Sequence, residues 1–293
     1  MDMTDSAVLA SRRNSGGEFS LLKPGRILTY IVLVLLALAF AFPFYYVFVL
    51  ASWPNDNIFV WPPHLLPGPA FVDNYHALFE QVDFYRNLFN SAAIATLATV
   101  TIIFFCTMGG AAFALYELKG KKTLFSLMLL TYMIPGSLSI VPFFKIINVL
   151  GWYNTWLPMI IPGMANAFGI FLMTQYIKPA VPIDLMDAAR IDGMSEFGIL
   201  LKIIFPLAKS GISVLGILTF IGSWNTFLFA YIMLPDEKLT TFPVVLAKLF
   251  SKTSGGYGAL MVGNAIALIP LIIVLLFFSK QIIAGITEGS LKG

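Results

Sequence analysis

Six charged side chains stand within the stretch DLMDAARIDGMSEFGILLKIIFP, residues 184–206: Asp184, Asp187, Arg190, Asp192, Glu196 and Lys202. The whole chain is only 11% charged and 58% hydrophobic. Carboxylates and a guanidinium at this spacing can pair with each other or with a partner, and can cap a helix. They do not make a catalytic set. His64 and His76 have no candidate ligands close in sequence and read as surface or structural residues. Cys106, the single cysteine, sits in an apolar run and reads as a small packing residue, so no disulfide within the chain is possible. GKKT at 120–123 lacks the GxxxxGK[ST] spacing and the preceding strand of a phosphate loop. No Ser/His/Asp set and no metal cluster is present in the sequence, which predicts a non-enzymatic chain with no metal or cofactor of its own.

Residues 183–193 read as a short helix. Asp184 is placed to accept from the free N–H groups at its start, with Asp187 in the first turn, where negative charge is favoured. Gly193 can take the left-handed conformation that ends a helix. Ala188, Ala189 and Gly193 carry almost no side chain, so another backbone could approach closely. Asp187, Arg190, Asp192 and Glu196 ring that flat spot. This is the pattern of a docking element for a soluble partner; it is also the pattern of an ordinary solvated loop. Pro206 then bends the chain.

The elements around this segment are apolar. With a mean hydropathy of +0.86, the chain belongs in a bilayer. A span needs about 20 apolar residues. Six stretches qualify, near 27–50, 88–116, 124–148, 157–178, 208–233 and 259–284. The third holds Pro135 and Pro142, so a first piece can cross and PFFKIINVL can lie along the interface with Lys145 snorkelling. Residues 1–26 are expected to form a polar tail, 27–284 the membrane domain and 285–293 a second tail. Thirteen Lys and Arg fall on one side of this layout and four on the other, with Lys145 near a helix end. The bias places both termini, the 117–122 loop and the 179–207 loop in the cytoplasm. Trp53, Trp61, Trp152 and Trp156 fall at the outer span ends, as an aromatic belt requires.

Two separated motifs carry a resemblance. Asp187-Ala188-Ala189, Ile191-Asp192-Gly193 and Ile203-Ile204-Phe205-Pro206-Leu207 resemble the "EAA" signature of membrane subunits of binding-protein-dependent ABC importers, in its Ala-Arg-Ile-Asp-Gly carbohydrate version. GITEGSLKG, residues 285–293, resembles the Gly-Leu-Thr-x-Gly-x-x-Lys-Gly ending of MalG-like subunits. NYHALF, Asn90-Ser91 and GSWNTFLF add to the match, which runs from about residue 25 to the end. One departure is clear: the first position of the signature is usually Glu, and here Asp187 is shorter by one methylene.

The resemblance implies an all-α membrane protein with the type I ABC importer permease fold, six transmembrane helices and a cytoplasmic coupling helix between spans 4 and 5. It implies that ATP and Mg are held by two partner ATPase subunits, engaged through Asp187, Ala188, Ala189, Arg190, Asp192, Gly193 and Glu196. Thr287, Gly289, Lys292 and Gly293 would reach between those ATPases. A second permease subunit, an extracytoplasmic substrate-binding protein and a carbohydrate complete the partners, in a bacterial or archaeal cytoplasmic membrane, with no nucleic acid. Candidates along the translocation path are Tyr132, Ser137, Asn166, Gln175, Trp224, Asn225 and Asn264, though helix–helix hydrogen bonding or interface anchoring is the commoner explanation of such residues. A proton- or sodium-driven carrier is the competing function class. It commonly places carboxylates within spans, whereas all 15 acidic residues here fall in loops or at span ends. A membrane enzyme would need a clustered catalytic set.

Overall fold

The computed structural model describes residues 24–252 and 256–290, with side chains over 25–251 and 256–278. The expected N-terminal tail therefore lies almost wholly outside the described residues, as does the end of the C-terminal tail. The described residues form helices joined by turns and irregular loops, with no strand among them. The helices are α1 (Pro24–Ala51), α2 (Phe71–Gln81), α3 (Phe84–Leu115), α4 (Lys121–Tyr132), α5 (Ile140–Val149), α6 (Ala167–Ala180), α7 (Ile183–Ile191), α8 (Glu196–Leu207), α9 (Lys209–Trp224), α10 (Leu228–Met233), α11 (Phe242–Lys252) and α12 (Tyr257–Ser290).

The chain divides into two units, Met1–Val47 and Phe48–Gly293. In the first, α1 is apolar on every side, the composition of a helix solvated by lipid. Pro43 lies inside it without ending it, and Phe42 stacks on Tyr46 at 5.4 Å.

In the second unit, α3 is the central rod and packs along α6 and α9. Lipid supplies no hydrophobic drive between helices, so close contact relies on small residues. A Cβ on Gly110 would lie 2.5 Å from Met173 Cβ, one on Gly169 2.6 Å from Cys106 Sγ, and one on Gly211 2.6 Å from Tyr176 Cβ. Cys106 is fully buried at this contact, as a packing role requires.

Among the described residues, three helices are long and apolar enough to cross a membrane: Gly25–Ala51, Phe84–Leu115 and Tyr257–Phe278. Two bent pairs raise the count to as many as five. One is the proline-broken third stretch, where α4 and the run Gly136–Val149 meet at 84° around Pro135. The other joins α8 to α9 at 82°. The fourth expected span differs from a single rod. It is one turn at Leu157–Ile160, then an irregular stretch, then α6 of 14 residues. The cause is local: Asn166 caps α6, its Oδ1 accepting from the Gly169 N–H at 2.8 Å, and Pro162 and Gly163 precede it. Hydropathy counts apolar residues and cannot see that break.

At the other end of α3, buried amides hold a distant loop. Asn87 Nδ2 donates to Glu237 O at 3.0 Å, and Asn90 Nδ2 donates to Lys238 O and Thr240 O at 3.0 and 2.9 Å. Ser91 Oγ accepts from the Phe242 N–H at 2.8 Å. These bonds satisfy the backbone of the loop leading into α11 and fix it to the first turns of α3.

Candidate functional site

The charged segment folds as a helix, a tight turn and a second helix. Pro182 precedes α7, and no side chain caps it. Asp184 thus lies inside the first turn rather than at the cap expected of it. The helix begins one residue earlier, and the Asp184 charge acts on the helix end without a capping bond. Gly193 ends α7 as expected, with φ at +80°. The Met194 N–H reaches Ala189 O at 2.9 Å and the Gly193 N–H reaches Arg190 O at 3.0 Å, the paired bonds of a Schellman ending. Ser195 then opens α8, its Oγ accepting from the Gly198 N–H at 3.2 Å. Within α8 one wide π-helical turn runs over Leu200–Ile204, just before Pro206, which has no N–H to continue the regular ladder.

Burial sorts the residues of the flat patch. Met186 and Ala189, three apart, face inward and share one core with Cys106, Met173, Ile177, Ile199, Leu200 and Ile204. Ala189 is only 7% exposed, so it anchors α7 and is not part of an open docking face. Ala188, Asp192 and Gly193 stay exposed. Ile191 is 86% exposed, an apolar side chain standing out of a charged segment. The expected patch of small residues therefore narrows to Ala188 and Gly193, with Ile191 as an apolar neighbour.

The charges form a closed network. Arg190 Nη1 donates to Asp187 Oδ1 at 2.7 Å, and Arg190 Nε donates to Glu196 Oε1 at 2.7 Å. The guanidinium also lies 5.6 Å from the centre of the Tyr116 ring. The Tyr116 hydroxyl donates to Glu196 Oε2, and Lys121 Nζ donates to Tyr116 O at 2.9 Å. Arg190 and Tyr116, both donating to it, hold the Glu196 carboxyl below the usual carboxylate range. Glu196 in turn keeps Arg190 firmly charged. Burial first, then the Glu196 carboxylate, pushes the Tyr116 phenol up. Asp187 is thus paired within its own helix, although its side chain remains about half exposed. Tyr116 has no place in a linear motif. It lies 80 residues from Glu196 and only the fold brings them together.

The path candidates are spread along the helices. Asn166 spends its amide on the α6 cap and on Gly163 O at 3.1 Å. Asn225, just past the end of α9, donates back to Ile221 O at 3.0 Å, and Asn264 donates to Leu260 O at 2.9 Å within α12. Trp224 is 2% exposed and stacks with Phe220, while Tyr132 is 62% exposed beside Phe168. Thr287 and Gly289 lie on α12, which continues to Ser290, and Lys292 and Gly293 lie outside the described residues. Among the described residues no group of three His, Cys, Asp or Glu is placed to hold a metal.

Known proteins resemble this chain over most of its length. Residues 15–287 match the family described as "Binding-protein-dependent transport system inner membrane component". The chain is 36% identical over 228 residues to the arabinooligosaccharides transport system permease protein AraQ of Bacillus subtilis, covering 78% of this chain and 81% of that protein. It is 34% identical over 251 residues to the trehalose/maltose transport system permease protein MalG of Thermococcus litoralis, covering 84% and 89%. In fold it is similar to a chain of the crystal structure of a bacterial ABC transporter involved in the import of the acidic polysaccharide alginate, with a TM-score of 0.73, 22% identity and coverage of 87% and 95%.

Proposed function

Because the chain belongs to the family of binding-protein-dependent inner membrane transport components, we propose that it is the permease subunit of an ATP-driven carbohydrate importer. The names of its relatives support an oligosaccharide as cargo. In this reading the chain crosses a bacterial or archaeal inner membrane six times with both termini in the cytoplasm. It forms half of a translocation pathway with a second permease subunit. A substrate-binding protein delivers the sugar to the outer loops. Two partner ATPase subunits hold ATP and Mg, and the chain itself performs no catalysis. Tyr132, Asn166, Trp224, Asn225 and Asn264 remain the candidates for contact with the sugar.

The observation that carries the coupling role is the shape of α7. Its inner face is fixed in the core by Met186 and Ala189, and its outer face shows Ala188, Gly193 and the exposed Ile191. A short helix anchored on one side and bare on the other can follow a partner's surface and move the helices behind it. In this reading Asp187, Arg190, Asp192 and Glu196 form the charged rim around the contact. The tail bearing Thr287, Gly289, Lys292 and Gly293 approaches the ATPases from the end of α12.

The test is a mild-detergent pull-down of the tagged chain from its host, with partners identified by mass spectrometry. The expected result is a second multi-span permease and a soluble ATPase. Recovery of the chain alone, under conditions that keep a known importer intact, would overturn the proposal.

A further inference from the structure

The core shared by Met186, Ala189, Ile199 and Leu200 with the middle of α3 and α6 fixes the inner side of α7 and α8. Apolar burial of this kind fixes which face is inside but is non-directional, so it does not orient the charged groups at the exposed rim. The rim needs a directional bond, and the structure has one. Tyr116 follows the last residue of α3, and its phenol donates to the same carboxylate that Arg190 grips. Its ring also lies under the Arg190 guanidinium at 5.6 Å. One side chain at the end of the central rod thus touches both charged partners of the α7–α8 turn.

We propose that Tyr116 is a positioning residue that pins the α7–α8 turn to the end of α3, so that turn and rod move as one lever. The pin orders three elements. Glu196 is held from α3 by Tyr116; Arg190 is held by Glu196; and Asp187 is held by Arg190 at 2.7 Å. Asp187 is therefore turned along α7 toward Arg190, which leaves Ala188, Ile191 and Gly193 as the surface a partner meets. This inference rests on the reading of α7 as the ATPase-coupling helix, but the pin itself is a property of the chain alone.

The variant Tyr116→Phe isolates the bond, because it keeps the ring beneath the guanidinium and removes only the hydroxyl. Two measurements separate the pin from the coupling reading. In the first, the full-length chain in lipid nanodiscs carries spin labels at two exposed positions, Lys119→Cys and Asp184→Cys, with buried Cys106 left in place. The expected result is a narrow distance distribution that broadens in Tyr116→Phe and at least as much in Glu196→Ala, which removes the acceptor, with no broadening beyond that of Glu196→Ala in the double variant. An unchanged distribution in Tyr116→Phe would overturn the pin. In the second, the reconstituted complex is scored for sugar transported per ATP hydrolysed. Tyr116→Phe is expected to lower that ratio roughly two- to thirtyfold, the range in which residues between coupled sites act, while the amount of assembled complex stays constant. An unchanged ratio with broadened distances would keep the pin as architecture and overturn its part in transport. Failure of any ATPase to assemble with the unmodified chain would overturn the coupling reading and leave the distance result standing.

Discussion

Arg190 is the residue on which the turn's electrostatics depend, since it serves two carboxylates that would otherwise repel across the turn. The consequence for pH has a definite sign. The carboxyl of Glu196 is lowered by Arg190 and Tyr116, so its pairing is complete above the ordinary value of about 4.3 and is lost as pH falls through the lowered value. A carbon NMR titration of the Glu196 carboxyl is expected to show a midpoint below about 4.3 that moves back toward it in Arg190→Gln; a midpoint that does not move would refute the pairing. Gly193 makes a second case. Its φ of +80° strains any residue with a Cβ, yet the space around it is open. Gly193→Asn, which tolerates that conformation, is expected to keep ATPase co-purification. Gly193→Trp should weaken it while leaving permease assembly intact, because the ring would stand on the proposed docking face. Much here was readable in sequence, including the start of α7 and the left-handed glycine that follows its end, because both are set by neighbours in the chain. The inward turn of Ala189, the internal pairing of Asp187 and the part of Tyr116 were not. Each depends on which face the rest of the fold covers.

Between elements, the contacts that matter are small residues and buried amides. Gly110 allows α3 and α6 to meet closely, and any side chain there would drive into Met173. Gly110→Val is expected to destabilise the fold by roughly 1–3 kcal/mol, as overpacking does, read as a lower unfolding temperature in detergent. Gly222→Val, with nothing near its Cβ, serves as the control. The clamp at the far end of α3 predicts a local effect instead. Ser91→Ala leaves the Phe242 N–H buried without its acceptor, and hydrogen exchange over residues 236–245 should accelerate while the α3–α6 contact stays protected. Asn90-Ser91 was visible in sequence as a matching pair, but its work was not, since the loop it holds lies about 150 residues away. Breaks behaved the same way. Pro135 announced the bend before α5, whereas the short α6 depended on Asn166 using its side chain as a cap.

For the molecule as a whole, the open question is what drives transport, and the placement of charge decides the expectation. None of the three long apolar helices, Gly25–Ala51, Phe84–Leu115 and Tyr257–Phe278, contains an acidic residue. A carrier driven by protons or sodium needs a group within the bilayer that binds the ion and changes its affinity as the protein changes shape, and carboxylates usually fill that role. Among the described residues, the carboxylates in ion pairs lie outside those three helices, Asp83 beside Arg86 and Asp187 and Glu196 around Arg190. None of them therefore offers a carboxylate within those three helices for an ion to bind. The complex in proteoliposomes, supplied with its binding protein and sugar, is therefore expected to accumulate sugar when ATP is enclosed and to continue when a protonophore collapses the proton gradient. Uptake that follows an imposed proton or sodium gradient without ATP would refute the ATP-driven reading. The α7–α8 turn would then be left as a structured loop with no partner to couple.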